Sequence, residues 1–280
     1  MSILGQTHVR TIAVASGKGG VGKTNVVANL AIALQKAGRK VLILDADLGL
    51  SNIDVLLHLA PKYNIQHVLD GEMKLKDIVI EGPYGIKILP AASGVQEMTD
   101  LDEFQRLRLL EEFESLEEDI DVLLIDTAAG IGKNVAFFCI AAQDIIIVTS
   151  PQPTAITDAY ALIKVLYTGY QEKSLNVLVN SAHDETEAKD VFTRLLNTVE
   201  KFLHISLDYL GFIPFDDAVT KSGMKQTAFV VAYPDSKASK KVAELAAKIL
   251  TRSKIRVKGS LQFFIGNLLS STSSSETAKK

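Results

Sequence analysis

The residues best suited to chemistry lie between Thr11 and Thr24, in the run TIAVASGKGGVGKT. Gly17, Gly22, Lys23 and Thr24 satisfy G-x-x-x-x-G-K-[ST], a spacing that lets backbone N–H groups close around phosphate oxygens. Glycine suits this loop because a Cβ would obstruct the tight turn and the close approach of the backbone to a phosphate. A helix opening at about Gly22 adds its positive dipole end to the same place. Lys23 is positioned to reach β- and γ-phosphates, and the Thr24 hydroxyl to ligate Mg²⁺. The candidate binding segment is therefore Gly17, Lys18, Gly19, Gly20, Val21, Gly22, Lys23 and Thr24, with Asn25 directly behind it. Lys18 is a second lysine inside the loop, where a simple phosphate cradle has no need of one.

Two further stretches deliver carboxylates. Asp45 ends the apolar run KVLILD, and Asp47 and Asn52 follow in DADLGLSN. A carboxylate at the carboxyl end of a parallel strand faces the ligand crevice, where it can hold Mg²⁺ through water or orient an attacking water. The run VLLID, Val122 to Asp126, has the same form, and Asp126 is a candidate for the metal side of the site. Asp47 and Asn52 also suit turn and capping chemistry. Asn180, at the end of LNVLVN, could donate to and accept from a base edge, or serve the loop after a strand.

Elements must hold these residues in place. Thr11 to Ala15 and Lys40 to Asp45 read as buried strands, and between them Lys23 to Ala37 has helical spacing with Gly38 as a stop. Further strands are expected at Ile86 to Leu89, Val122 to Ile125, Ile145 to Val148, Leu175 to Val179 and Tyr209 to Ile213. Helices are expected at Leu101 to Glu117, Ala155 to Tyr167, Glu187 to Phe202 and Ser236 to Arg252. In the acidic run from Leu110 to Asp121 the apolar residues recur every three positions, so the acids form a helix's solvated face. The alternation predicts an α/β fold, a doubly wound, mainly parallel sheet of about seven to eight strands flanked by helices.

With 280 residues and 47% hydrophobic content, one large core is expected, spanning residues 11–252 after an N-terminal extension of residues 1–10. The net charge of −3 supplies no global basic field for nucleic acid. Cys139 is the sole cysteine, in the apolar run AFFCIAA, so one chain has neither a disulfide framework nor a thiolate cluster. The start lacks a signal-peptide apolar region and no apolar run reaches about 18 residues, so a cytoplasmic location is expected.

Residues 253–270 change to a basic and then apolar composition, ahead of a low-complexity end at 271–280. Leu261, Phe264, Ile265, Leu268 and Leu269 fall at i, i+3, i+4, i+7 and i+8, one apolar face of a helix. Preceded by Lys248, Arg252, Lys254, Arg256 and Lys258, it reads as a membrane-surface element or as a terminal helix docked on protein.

The loop KGGVGKT with its extra Lys18 resembles the deviant phosphate-binding loop of the MinD/ParA family. That resemblance implies an ATP-sandwich homodimer in which Lys18 reaches the partner subunit's nucleotide, a catalytic role for Lys18, Lys23 and Asp47, and Asn52 at the active site or interface. It implies Mg²⁺ at Thr24, Asp45 and Asp126, a switch at Thr127 to Gly130, and adenine binding by Asn180 and the Pro214 loop of GFIPFD. The serine at 181 departs from the arginine usual there, and Ala128 from the proline usual in the switch. DADLGLSNIDVLL, LPAASG, DTAAGIG, PTAITDAYALIK and SLQFFIGNLL further resemble the FlhG/FleN group of flagellar-number regulators. Membership implies slow, partner-regulated hydrolysis of ATP and a C-terminal helix at the cytoplasmic face of the inner membrane, at the cell pole. It also implies partners among FlhF-type GTPases, a flagellar transcription activator and switch-complex proteins. The ten residues before Thr11 lack the D-Q-A-x-x-L-R motif by which many members stimulate FlhF. Three other classes make distinct demands: a DNA-partitioning ATPase a basic surface, a metal-cluster carrier paired cysteines, and a ligase of the dethiobiotin synthetase kind turnover without partner or membrane.

Overall fold

The structure is a computed structural model and describes residues 9–47, 52–90, 108, 112, 116 and 120–252. Its first half runs β1 (Arg10–Ser16), α1 (Lys23–Lys36), β2 (Val41–Ala46), α2 (Ile53–Leu56), α3 (Ile65–Leu69), α4 (Leu75–Ile78), β3 (Ile80–Glu81) and β4 (Lys87–Leu89). The second half runs β5 (Val122–Ala129), α5 (Lys133–Ala141), β6 (Asp144–Thr149), α6 (Pro153–Tyr170), β7 (Leu175–Ala182), α7 (Glu185–Leu203), β8 (Asp208–Pro214), α8 (Asp217–Met224), α9 (Phe229–Ala232) and α10 (Lys237–Thr251).

Among the described residues the strands form one eight-stranded sheet in the order β3-β4-β2-β5-β1-β6-β7-β8. Every pairing is parallel except β3 with β4, as the continuous apolar runs predict for strands covered on both faces. Alternate residues feed two cores: Ala13, Ala15, Leu42 and Leu44 enter the layer beneath α5, α6 and α7, while Ile12, Val14, Val41 and Ile43 enter the layer beneath α1 and α10. The predicted mainly parallel α/β sheet is therefore observed.

Several elements are absent from the sequence reading. The nine residues of α5 bury Val135, Ala136, Phe138, Cys139 and Ala141, and Phe137 and Ile140 also pack on the core. A helix apolar on most sides has no amphipathic stripe to reveal it. The short α8 and α9, of eight and four residues, are too brief to show a helical period, and Asp216 caps α8 by accepting a bond from the Ala218 N–H at 2.9 Å. The expected helix from Leu101 to Glu117 and the whole 253–280 segment lie outside the described residues, apart from Arg108, Glu112 and Leu116. Leu261, Phe264, Ile265, Leu268 and Leu269 are among the positions so excluded.

The sheet's central strands β2, β5, β1 and β6 align their carboxyl ends, and the register sets Asp45 of β2 beside Asp126 of β5. On the opposite end Arg10 pairs with Asp144 at 2.8 Å and donates to the Ile249 carbonyl, which ties α10 to the base of the sheet.

Candidate nucleotide-binding site

The loop joining β1 to α1 is shaped by what lies against it. A Cβ built on Gly17 would stand 1.9 Å from the Asp158 carbonyl oxygen of α6, so no side chain fits there. Gly22 has φ +89°, and a Cβ on it would stand 2.4 Å from Nδ2 of Asn180. That amide donates to the Val21 carbonyl at 2.7 Å, so the end of β7 supports the loop directly. The Gly130 N–H donates to the Ser16 carbonyl at 2.8 Å, which joins the end of β5 to the start of the same loop.

Lys23 and Asp126 meet inside this frame. Lys23 Nζ lies 2.5 Å from Asp126 Oδ1, with both side chains buried. Burial pushes the Asp126 carboxyl above the usual carboxylate range, against the pull of the Lys23 ammonium and the Thr24 hydroxyl, while Asp47 adds a smaller push in the same direction. Asp45 is buried next to it, and its Oδ1 accepts from the Asp47 N–H at 3.1 Å. Thr24 and Lys23 therefore both meet Asp126, and the strand register sets Asp45 beside Asp126. Their oxygens are of the hard type that could hold Mg²⁺.

Lys18 takes a different direction. Its Nζ donates to Oγ1 of Thr154, in the first turn of α6, at 2.9 Å on the exposed side of the loop. Thr154 was not singled out from the sequence, although it lies in the PTAITDAYALIK run. Asn52 stands exposed at the start of α2, outside the cleft described next.

Beside the loop, Asn25, Asn180, Ser181, Pro214 and Phe215 line a small cleft of about 70 Å³. The structure therefore brings together Asn25, Asn180 and Pro214, three residues that are far apart in sequence. Oδ1 of Asn25 is buried there without a hydrogen-bond partner, an acceptor that a donor-bearing ligand would satisfy. Its carbonyl accepts from Asn29, a fully buried side chain whose own oxygen accepts from the Val230 N–H of α9 at 3.0 Å. Asn29 escapes sequence reading because nothing local distinguishes it from other helix residues, whereas Phe215 belongs to the GFIPFD run.

Comparison with known proteins agrees with this geometry. The profile of a family described as an AAA domain matches residues 9–179. The chain is 45% identical over 271 residues to the antiactivator FleN of Pseudomonas aeruginosa, covering 96% of this chain and 97% of that protein. It is 32% identical over 246 residues to the flagellum site-determining protein YlxH of Helicobacter pylori, covering 88% and 83% of the two chains. Among solved structures, the septum site-determining protein MinD of Pyrococcus horikoshii complexed with Mg-ADP superposes with a TM-score of 0.69 at 27% identity, over 89% of this chain and all of that one. The loop, the paired carboxylates and these similarities establish ATP and Mg²⁺ as the cofactors, and the chain belongs to the MinD/ParA family of P-loop ATPases as a homologue of FleN.

Proposed function

We propose that this ATPase is a nucleotide-driven switch that regulates flagellar number and placement, cycling between a monomer and an ATP-bound dimer at the inner membrane surface. The observation that carries the reading is the pairing of Lys23 with Asp126 inside a glycine cradle, in a chain 45% identical to an antiactivator. Bound Mg²⁺ would neutralise charge developing on the transferred phosphoryl group, with Thr24, Asp45 and Asp126 holding it directly or through water. Lys23 exchanges its carboxylate for the β- and γ-phosphates, Asp47 orients the attacking water, and Lys18 leaves Thr154 to reach the partner subunit's nucleotide. Asn180 and the Pro214 turn take the base, and Asn52 lies at the subunit interface. Hydrolysis then returns the protein to the monomer, so the change of state is the output.

Two C-terminal helices on one dimer would bind lipid far better than one, which makes membrane residence depend on ATP. An FlhF-type GTPase, a flagellar transcription activator and switch-complex proteins are the partners this reading supplies. A soluble antagonist of a transcription activator is the second reading, favoured by the antiactivator relative. Co-sedimentation with anionic liposomes, with ATP, ADP or no nucleotide, separates the two readings when the full chain is compared with one ending at Lys258 and with Lys18→Ala. Sedimentation that requires ATP, the C-terminal segment and Lys18 supports the membrane cycle. A chain that dimerises with ATP yet stays in solution under every condition supports the soluble antagonist.

A further inference from the structure

A second concave surface lies away from the nucleotide site. Leu57 and His58 after α2, Pro83 in the 3₁₀ turn Pro83–Gly85, and Met224, Lys225 and Gln226 at the end of α8 line a groove of about 360 Å³. The helices α2 and α9 and the 3₁₀ turn all pack on α1, so the groove is a notch between elements that are fixed from below. His58, Tyr84 and Gln226 have φ +54°, +61° and +48°, left-handed conformations that residues with a Cβ adopt only at a cost. The His58 Nδ1–H donates to Gln226 Oε1 at 2.8 Å and sets the distance between the two sides. Strain gathered at one notch outside the catalytic machinery points to a surface shaped for contact.

The surroundings are apolar and basic. Met224 is 82% exposed, and Val55 and Tyr84, close to Leu57 and Pro83 in the chain, are each 56% exposed. These are three of the seven large apolar residues that stand exposed among the described residues, so the exposure is concentrated here. The unbranched, polarizable side chain of Met224 suits a protein surface that must adapt to its partner. Lys36 Nζ lies 4.1 Å from the centre of the Tyr84 ring, and Lys225 Nζ lies 5.2 Å from that of Tyr233. Aromatic faces hold these two ammonium groups in place without neutralising them. Lys221 is exposed one helical turn before Met224 and Lys225. The carboxylates on the same segments are Asp54 and Glu81, and Asp54 already accepts from the Val55 N–H at 2.8 Å. In a chain of net charge −3, this is a local excess of positive charge.

We propose that this groove is a docking site for an acidic amphipathic helix of a partner protein. Its apolar face seats against Leu57, Pro83 and Met224, and its flanking carboxylates meet Lys36, Lys221 and Lys225. No strand lines the groove, so an extended segment finds no ladder to join, whereas a helix lays an apolar stripe into such a notch. A flat lipid surface does not enter a notch whose width is set by the bond from His58 to Gln226. The site is separate from the nucleotide cleft and independent of the membrane cycle proposed above.

The test uses the full chain with its methionine methyl groups labelled with ¹³C. Of the four methionines, Met224 is identified by the signal lost in Met224→Ala, and Met73, packed on the core, serves as internal control. The probes are synthetic peptides of about 18 residues, long enough to hold a helix: leucines at helical spacing among glutamates, the same leucines among lysines, and the glutamate peptide broken by a central proline. The unbroken glutamate peptide shifts the Met224 methyl saturably, leaves Met73 unmoved and binds at least about tenfold tighter than the other two. By peptide fluorescence anisotropy, Met224→Asp and Lys225→Glu each weaken it about tenfold, while Phe202→Ser, at an exposed aromatic on the end of α7, binds it like wild type. Basal ATPase activity is unchanged in all three. Equal binding of the peptides, wild-type affinity in Met224→Asp, or no saturable shift overturns the proposal. So does a Met224 signal that moves, without peptide, in a chain ending at Lys258, since the C-terminal segment is then the occupant. Loss of anionic-liposome co-sedimentation in Met224→Asp likewise overturns it, by assigning the patch to lipid.

Discussion

Lys23 and Asp126 are joined at 2.5 Å between the first turn of α1 and the strand β5, in surroundings that leave both side chains almost without solvent. The lysine of the phosphate loop is thereby held in position by the carboxylate near the end of β5. Removing one partner leaves the other charge buried and uncompensated. Lys23→Ala is expected to abolish ATPase activity and to lower folding stability in the absence of nucleotide by about 3–5 kcal/mol, read from urea unfolding. Lys23→Met combined with Asp126→Leu restores most of that stability without restoring activity, which separates the electrostatic cost from the catalytic loss.

The glycines of the loop are not equivalent. Gly17→Ala drives a methyl into the Asp158 carbonyl of α6 and is expected to destabilise the fold by about 1–3 kcal/mol, with loss of nucleotide binding. Gly19→Ala meets nothing closer than the Ala129 Cβ at 4.0 Å, and its melting temperature should match wild type. Differential scanning calorimetry of the two variants side by side checks the contrast.

Lys18 donates to Thr154 on the exposed face of the loop and makes no contact with the buried pair beneath it. Lys18→Ala is therefore expected to bind ADP as a monomer with wild-type affinity while failing to form the ATP dimer. Light scattering after size exclusion, with ATP and with ADP, reads both states. Failure of ADP binding in this variant would mean that Lys18 serves its own subunit's nucleotide.

Burial pushes the Cys139 thiol up to about 12, with Glu172 contributing in the same direction, and burial also pushes the Tyr209 phenol up to about 12. Both groups hold their protons longer in the folded chain than in the unfolded one. Their stabilising contribution is complete below the ordinary values of 9.0 and 10.0, and is lost as pH rises toward about 12. Urea midpoints should fall between about pH 9 and about pH 12, less steeply in Cys139→Ala and in Tyr209→Phe. Iodoacetamide should label Cys139 only in denaturant.

The Tyr209 hydroxyl is buried without a partner. Tyr209→Phe removes that unsatisfied group and is expected to stabilise the fold at neutral pH by about 1 kcal/mol, again by urea unfolding.

Much of the fold was legible in the chain because its strands are covered on both faces and therefore read as unbroken apolar runs. Lys40 to Asp45 and Val122 to Asp126 needed no more than that. The amphipathic α7 and α10 were found to within a few residues, by their helical spacing. The helix α5 was not found, since a segment with both flanks buried has no polar side to set its period, and α8 and α9 were too short to show one.

Sequence alone determined the phosphate cradle, because Gly17, Gly22, Lys23 and Thr24 act through their own backbone and through a spacing of a few residues. It also placed Asp45 and Asp126 at strand ends. Only the tertiary structure decided that those two carboxylates stand side by side, that the Asp158 carbonyl leaves room for nothing but glycine at position 17, and that Lys18 finds Thr154 136 residues away. It likewise brought Asn180 under Val21, across 159 residues, and Phe215 onto the cleft beside them. The difference is one of range. A motif encodes geometry carried by consecutive peptide units, whereas contacts across the parallel sheet depend on strand order and register, which no local run of residues specifies.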